Sequence, residues 1–164
     1  MFVMKRFLLL FALIFPSLTL SAQVKVNSGS PDVEVEVKRA VEKGGDVYVD
    51  LIFTTSAGSL SYIEINTHNA QSTTPGCRFF DDEGTMYQSG EESSMLFEVD
   101  GNRTHWFPRL QLEKDVPRKM RIVIKNVDEY ATAFQSVRIP YLLYYGRYRK
   151  ADAEITVKNL PISR

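Results

Sequence analysis

The stretch VEVEVKRAVEKGGDVYVDLIFTT (residues 33–55) decides the fold class. Its first part alternates strictly, with the valines from Val33 to Val37 on one parity and charged residues on the other. Alternation with a period of two separates the two faces of a half-buried β-strand, which a helix would not do. The glycine pair at residues 44–45 predicts a turn, because glycine adopts positive φ at little cost. A second alternating segment follows, so the stretch predicts a β-hairpin.

The rest of the chain continues this pattern in short segments. Further strands are predicted at residues 62–66, 77–80, 85–87, 95–99, 119–126, 137–145 and 153–158, and an edge or bulged segment is predicted around Pro108. About eight or nine short strands with turn signals between them are typical of an antiparallel β-sandwich or barrel. Strands do not alternate with helical patterns, which argues against a parallel sheet. The sequence therefore predicts an all-β fold.

Three segments resemble a family of small exported bacterial proteins that have an immunoglobulin-like sandwich and no assigned function. They are the opening hairpin (residues 33–55), the acidic turn DDEGTMY (residues 81–87) and the run LEKDVPRKMRIVIKNVDEYATAFQSVRIPY (residues 112–141). The resemblance covers most of the chain after the leader and implies an antiparallel immunoglobulin-like β-sandwich. It implies no activity, because this architecture hosts many unrelated functions. The cysteine pair of antibody domains is absent.

The N-terminal 22 residues have the order of a secretory signal peptide. Lys5 and Arg6 precede an unbroken apolar run (residues 7–15), and small residues follow near Ala22. That run would span about 14 Å as a helix, which is under half of a hydrocarbon core. The sequence thus predicts a cleaved leader (residues 1–22), a polar lead-in (residues 23–32) and one sandwich domain (residues 33–164). We expect an exported protein, periplasmic or extracellular, with no membrane insertion after cleavage.

Composition narrows the classes of partner and cofactor. The chain has 20 basic and 20 acidic residues, and loss of Lys5 and Arg6 with the leader leaves a slightly negative domain. Nucleic acid is therefore not an expected partner, because its binders carry a basic surplus on one face. The single cysteine, Cys77, excludes an internal disulfide and is expected to be either a buried apolar residue or a reactive, dimer-forming thiol. No histidine or cysteine spacing fits a metal or cofactor site, so we expect no cofactor.

The most distinctive candidate site is the segment PYLLYYGRYRK (residues 140–150). Tyrosine rings can stack on flat ligands and basic groups can hold anions, so the segment is a candidate contact for a glycan, an acidic polymer or a protein. The alternative is a core strand with its turn, because aromatic-rich strands usually pack inside. The candidate binding residues are Tyr144, Tyr145, Arg147, Tyr148 and Arg149.

Asp81, Asp82 and Glu83 form a second, weaker candidate. Clustered carboxylates suit a hard cation such as calcium, but the spacing of a calcium loop is missing, and a solvated turn is the alternative. The same three residues are the candidates for a small glycan hydrolase, which needs paired carboxylates at set separations. The sequence contains no G-x-S-x-G nucleophile motif.

These observations favour a non-enzymatic binding domain with a glycan or protein partner. A structural subunit that assembles by adding an edge strand is the alternative, because the polar lead-in could supply such a strand. The carboxylate-based hydrolase is the remote third hypothesis.

Overall fold

The computed structural model describes residues 24–67, 75–90 and 94–164. The predicted leader (residues 1–22) lies outside the described residues, and so do the side chains of Arg149 and Lys150. Within the described residues every regular element is a β-strand. None of the described segments forms a helix of the length and apolarity needed to cross a membrane.

The described residues form twelve strands in two antiparallel sheets. The strands of the first sheet are β1 (Lys25–Asn27), β4 (Leu60–Ile65), β5 (Arg78–Asp81), β6 (Met86–Gln88), β9 (Arg109–Gln111), β11 (Ala133–Tyr145) and β12 (Tyr148–Pro161). Those of the second sheet are β2 (Glu34–Lys43), β3 (Asp46–Thr54), β7 (Met95–Val99), β8 (Asn102–Thr104) and β10 (Arg118–Ile124). The first sheet has the order β1-β12-β11-β4-β9, with β5 paired to β11 and β6 paired to β5, and the second has the order β2-β3-β10-β7-β8.

The all-β antiparallel prediction is confirmed, but the predicted number of eight or nine strands is wrong. The described residues contain twelve. β1 and β8 lie outside the predicted strands and have three residues each, whereas β6, which is equally short, overlaps the strand predicted at residues 85–87. Three residues are too few to show a period-two pattern, so β1 and β8 are recognised only from their hydrogen-bonded neighbours.

The opening hairpin forms as predicted, with Gly44 and Gly45 at positive φ in its turn. One feature of β2 is not visible in its alternation. The register between β2 and β3 shifts between Val37 and Arg39. Such a β-bulge adds one residue and exchanges the faces of the side chains that follow it. Before the bulge Val35 is buried, and after it Ala40 is buried while Arg39 is exposed.

The core lies between the two sheets and needs no disulfide. Its largest fully buried side chains come from both sheets, among them Phe53 and Phe97 from one, and Phe79, Phe134 and Tyr141 from the other. A sandwich core arises in this way, because the inner faces of two sheets interdigitate. Cys77 is also fully buried, which confirms its expected role as a small core residue rather than an exposed thiol.

The polar lead-in is anchored rather than loose. β1 pairs with β12 at the edge of the first sheet. Two tyrosines of β11 fasten the residues that follow, because Tyr141 donates its hydroxyl to the Ser28 carbonyl at 2.6 Å and Tyr145 donates to Asp32. Gly29 adopts a φ of 75° and crosses close to the backbone of Glu154.

Candidate functional site

Tyr144 lies on the outer face of the first sheet, where its ring stacks on another tyrosine. Along β11, Tyr141 and Leu143 are buried while Leu142 and Tyr144 are half-buried on the opposite face, as the alternation predicted. Tyr144 is the direct register partner of Tyr62 on β4. The two ring centroids lie 4.4 Å apart with an interplanar angle of 12°. Cross-strand aromatic pairs of this kind stabilise neighbouring strands and hold both rings in place.

A cation from the neighbouring strand also contacts the Tyr62 ring. The guanidinium of Arg109 on β9 lies 5.5 Å from the centroid of the Tyr62 ring. Its Nε donates to Glu64 Oε2 at 2.5 Å, and Glu64 is nearly buried. The hydrogen bond and the charge of Glu64 raise the pKa of Arg109 above its ordinary value. We call Arg109, Tyr62, Tyr144 and the supporting Glu64 the tyrosine row.

The row is held by strand pairing and by contacts among its own side chains. Each member comes from a paired strand, with Glu64 opposite Arg109 and Tyr62 opposite Gln111 in the β4–β9 register. The side chains also restrain one another through the ring stack, the cation–π contact and the ion pair. Preorganised contacts favour binding, because less side-chain entropy is lost when a partner docks.

Tyr145, the next residue along the chain, belongs to a different environment from Tyr144. It packs against the core from the inner side of β11, and its hydroxyl donates to Asp32. Burial and then the hydrogen bond to Asp32 raise the pKa of Tyr145 to about 12. Register shifts occur on both sides of Tyr144, one against β12 and one against β4. Tyr145 therefore anchors the lead-in and does not join the row.

The remaining predicted residues occupy the β11–β12 hairpin. Gly146 turns the chain with a φ of 67°, and its N–H donates to Ser61 Oγ at 3.0 Å. Arg147 is exposed, and Tyr148 is 81% exposed beside it. The backbone of Arg149 pairs with Tyr144, while its side chain lies outside the described part of the chain. The predicted run thus divides among the outer face, the inner face and the hairpin tip.

Three members of the row were not among the residues predicted from the sequence. The period-two pattern of β4 places Ile63 and Ile65 inward, which already puts Tyr62 and Glu64 outward. Arg109 is outward by the same reasoning, because Leu110 is buried. The pattern gives each residue its face, but it does not tell which strands are neighbours.

The acidic candidates serve the local structure. Asp81 is buried, and its carboxylate accepts hydrogen bonds from Glu83 N at 3.1 Å, Thr85 N at 2.7 Å and the Tyr87 hydroxyl at 2.9 Å. A carboxylate that accepts hydrogen bonds from N–H and O–H groups in this way stabilises its own turn. In the parts of the chain that are described, no three His, Cys, Asp or Glu residues come together to hold a metal ion.

Asp82 fastens the same turn to the start of β11. Its carboxylate accepts hydrogen bonds from the N–H groups of Thr132 at 2.9 Å and Ala133 at 3.3 Å, and from the Thr132 hydroxyl. Burial alone would raise the pKa of Asp82, but these hydrogen bonds outweigh it and lower the pKa. A general acid for glycoside cleavage needs a raised pKa, so Asp82 is poorly suited to that role.

The surface beside the row is shallow. A depression of about 300 Å³ adjoins Arg109 and is lined in part by Phe107 and Pro108. This volume is at the lower limit of small-ligand pockets, which usually enclose most of the ligand. The row therefore suits contact with another surface better than enclosure of a small molecule.

No protein-family model matches the chain, and no curated protein matches it either.

Proposed function

We propose that this chain is an exported, non-enzymatic binding domain that contacts a protein partner through the tyrosine row. The observation that carries the proposal is the position of Tyr62, which is held between Arg109 and Tyr144 on an outer sheet face. Tyrosine and arginine are enriched in protein interfaces and dominate their binding energy. Export rests on the leader predicted at residues 1–22, and it places the partner in the periplasm or outside the cell.

The strand order supports an immunoglobulin-like architecture for this domain. Taken in chain order as strands A to G, β2, β3, β4, β7, β10, β11 and β12 give one sheet with the order A-B-E-D and another with the order C-F-G. These are the two sheets of a constant-type immunoglobulin domain. The tyrosine row then lies on the C-F-G sheet. We therefore propose membership of an exported immunoglobulin-like family, as the sequence resemblance implies.

A protein fits the row better than a glycan does. Sugar rings stack on the open face of an aromatic side chain, but the Tyr62 ring is already stacked on Tyr144 and in contact with the Arg109 guanidinium. What the row presents is ring edges beside an ion pair, and a protein surface can cover this mixture of apolar and polar groups. A glycan would have to use the hairpin tip, where Tyr148 is exposed.

The hydrolase hypothesis has less support than binding. Asp81 and Asp82 are the acidic residues best placed for it, and the hydrogen bonds that surround both carboxylates come from their own turn, from Tyr87 and from the start of β11. The carboxylate pair of a glycosidase must instead face the scissile bond from two sides. Both carboxylates are thus engaged in hydrogen bonds that stabilise the turn.

Site-specific photo-crosslinking in the exporting cell tests the proposal. A photoreactive amino acid at Gln111, which is exposed and directly opposite Tyr62, should give one discrete crosslinked protein. The matched control carries the same group at Tyr130, which is 70% exposed beyond the start of β11. β11 extends for about 40 Å at 3.3 Å per residue, so the control lies far from the row. Equal crosslinking from both positions, or none from Gln111, would contradict a protein-binding row.

A glycan partner predicts a different result in the same cells. Gln111 would then give no protein adduct, and Tyr148→Ala would lower binding to a glycan while Tyr62→Ala would not. A protein partner predicts the reverse order of effects for these two variants.

A further inference from the structure

A row of alternating charges crosses the outer face of the second sheet, on the opposite side of the sandwich from the tyrosine row. The register aligns one residue from each of the five strands, which are Arg39 on β2, Asp50 on β3, Arg121 on β10, Glu98 on β7 and Arg103 on β8. Opposite charges that face each other across strands stabilise the pairing of those strands. We call these five residues the charge ladder.

Within the ladder, Asp50 is surrounded by three cations, which is more positive charge than one carboxylate can neutralise. Its side chain is 4% exposed. Its carboxylate lies 2.7 Å from Arg39 Nε, 2.6 Å from Arg121 Nε and 3.1 Å from Lys119 Nζ. Three cations around one carboxylate leave a local positive excess in a domain whose overall charge is slightly negative.

The two arginines are engaged to different extents. Arg121 uses Nε and Nη2 on Asp50, and its Nη1 lies 3.5 Å from Glu98. Its guanidinium also lies 5.7 Å from the centroid of the Tyr48 ring, which restrains it further. Arg39 is 56% exposed and meets Asp50 through Nε alone. A guanidinium has five N–H donors, so most of those of Arg39 can serve an external acceptor.

A depression of about 180 Å³ opens between these arginines, and its lining consists of Arg39, Val41, Lys43, Tyr48 and Arg121. Three of the five are cations, and none is a carboxylate. The neighbouring depression, on the other side of Arg121, contains Glu98 and Asp100 as well as Lys119, so its charges are nearly balanced. The first depression is thus the place where the positive excess of the ladder faces solvent.

We propose that this depression is a binding site for a tetrahedral oxyanion, the phosphate or sulfate group of a larger ligand or the free ion. Arginine binds such groups through forked N–H donors, and lysine adds a point charge. Asp50 acts as the support of the site, because its contacts hold Arg121 in place and direct Arg39 toward the depression. The site is independent of the tyrosine row, since the two lie on different sheets.

A titration with inorganic phosphate, followed by amide NMR shifts of the chain from residue 23 onward, tests this site. Sodium chloride at equal ionic strength is the reference, because general screening affects every surface charge. We expect saturable shifts at Arg39, Lys43 and Tyr48. In Lys43→Gln the dissociation constant should rise at least about fivefold, which corresponds to about 1 kcal/mol. Asp46, the register partner of Lys43, forms its ion pair with Lys125, so the loss of Lys43 should not disturb the fold.

The matched control is Lys38→Gln, which removes the same charge from the same strand but from the exposed pair of Lys38 with Glu36. Its dissociation constant should stay within about twofold of that of the unmodified chain. A second variant, Arg39→Gln, should weaken phosphate binding at least as much as Lys43→Gln does. Equal effects of Lys38→Gln and Lys43→Gln, or shifts that chloride reproduces, would overturn the proposal.

Two further arms distinguish a phosphate carried by lipid from a soluble one. Vesicles of phosphatidylglycerol and vesicles of phosphatidylcholine are each mixed with the protein and sedimented. Binding to the first alone, lost in Lys43→Gln, would identify a lipid headgroup as the source of the oxyanion. Phosphate binding without vesicle binding would identify a soluble anion, and failure of every arm would leave the tyrosine-row proposal untouched while refuting this one.

Discussion

At the scale of single residues, the buried carboxylates mainly hold neighbouring segments together through hydrogen bonds. Asp50, Asp81 and Glu64 are nearly buried, and each receives hydrogen bonds from named donors. A buried carboxylate without such donors would cost several kcal/mol, so each one marks a place where the sequence specifies a partner. The clearest test of this principle is Asp50, because three cations depend on it.

Asp50→Asn should destabilise the domain by about 2 to 4 kcal/mol at pH 7, because it leaves three cations clustered without their counter-charge. Urea unfolding at several pH values measures the effect. The matched control is Asp100→Asn, which breaks an exposed pair with Arg118 and should cost about 1 kcal/mol or less. Similar losses in the free energy of unfolding for both variants would show that the three cations do not depend on Asp50.

The effect of Asp50 should also depend on pH. Burial alone would raise the pKa of Asp50, but the hydrogen bonds from Arg121, Arg39 and Lys119 outweigh it and hold the pKa well below its ordinary value. A lowered pKa in the folded state stabilises the fold above the ordinary value of about 4, and that stabilisation is lost as the pH falls. The gap between the unmodified chain and Asp50→Asn should therefore shrink between pH 5 and pH 2.

Residue identity alone predicted some of these roles and missed others. The burial of Cys77 follows from the habits of a free cysteine. The exposure of Arg39 did not follow, because its parity in the sequence is that of the inward Val35 and Val37. Only the bulge between Val37 and Arg39 turns it outward. A bulge depends on the hydrogen bonding of two strands, which no single-strand pattern contains.

At the scale of elements, the long β11–β12 hairpin organises the first sheet. β11 pairs with β12 along nearly its whole length, while on its other edge β5 pairs near the start and β4 pairs near the end. Pro140 lies where the partner changes from β5 to β4. That position tolerates proline, which has no N–H to donate to a ladder. The lead-in is fastened to the same hairpin.

Gly29→Ala should detach or strain the lead-in. An added Cβ would lie 2.3 Å from the Glu154 carbonyl oxygen, and the φ of 75° already disfavours a side chain. Gly84→Ala is the matched control, because its φ is 88° but an added Cβ would meet nothing within 4 Å. Thermal melts should show a loss for Gly29→Ala that exceeds that of Gly84→Ala by about 1 to 3 kcal/mol. Equal losses would mean that the close approach to β12 does not contribute.

Tyr145→Phe should remove a phenol that loses its proton only at high pH. A pKa raised to about 12 in the folded state means that the neutral phenol stabilises the fold below pH 10, and that this is lost as the pH rises through 12. Absorbance of tyrosinate at 295 nm follows the titration, and the difference between the two chains should centre near pH 12. In urea the same difference should centre near pH 10, the ordinary value. A native difference near pH 10 would contradict both the burial of Tyr145 and its hydrogen bond to Asp32.

The alternation within β11 predicted which side chains face the core and which face outward. It did not predict that Tyr144 would meet Tyr62, because the pairing of β11 with β4 joins segments that are far apart in the chain. Long-range pairing is a property of the whole fold. A local pattern is compatible with several neighbours, so the candidate site was predicted at one of its strands only.

At the scale of the whole molecule, the sandwich presents two different outer faces. One carries the tyrosine row, with its aromatic character, and the other carries the charge ladder, with its positive excess. The two-sheet architecture followed from many short alternating segments, whereas the strand order required coordinates. The charge ladder also specifies register, because a slip by one residue would turn its charges toward the core.

The edges of the sheets should resist assembly by strand addition. The exposed edge strands β1, β8 and β9 are short, and β2, the long edge strand, is bulged and partly covered by the C-terminus. Ser163 pairs with Val41 in parallel and exchanges hydrogen bonds with Glu42 and Ala40 at 2.8 and 2.9 Å. Such covering is a common protection of edges. Sedimentation should therefore show a monomer of the domain from residue 23 onward at all concentrations, and a mass that rises with concentration would favour the assembly hypothesis.

The most direct test of the binding role is the crosslink from Gln111 measured again in Tyr144→Ala. Removal of this ring leaves Tyr62 without its stacking partner, so the crosslink should fall at least about tenfold, which is the usual effect of losing an interface anchor. Tyr144 is half-buried on an outer face, so the thermal midpoint should fall by only a few degrees. An undiminished crosslink in a folded Tyr144→Ala variant would contradict binding through the tyrosine row, because the partner would then bind without it.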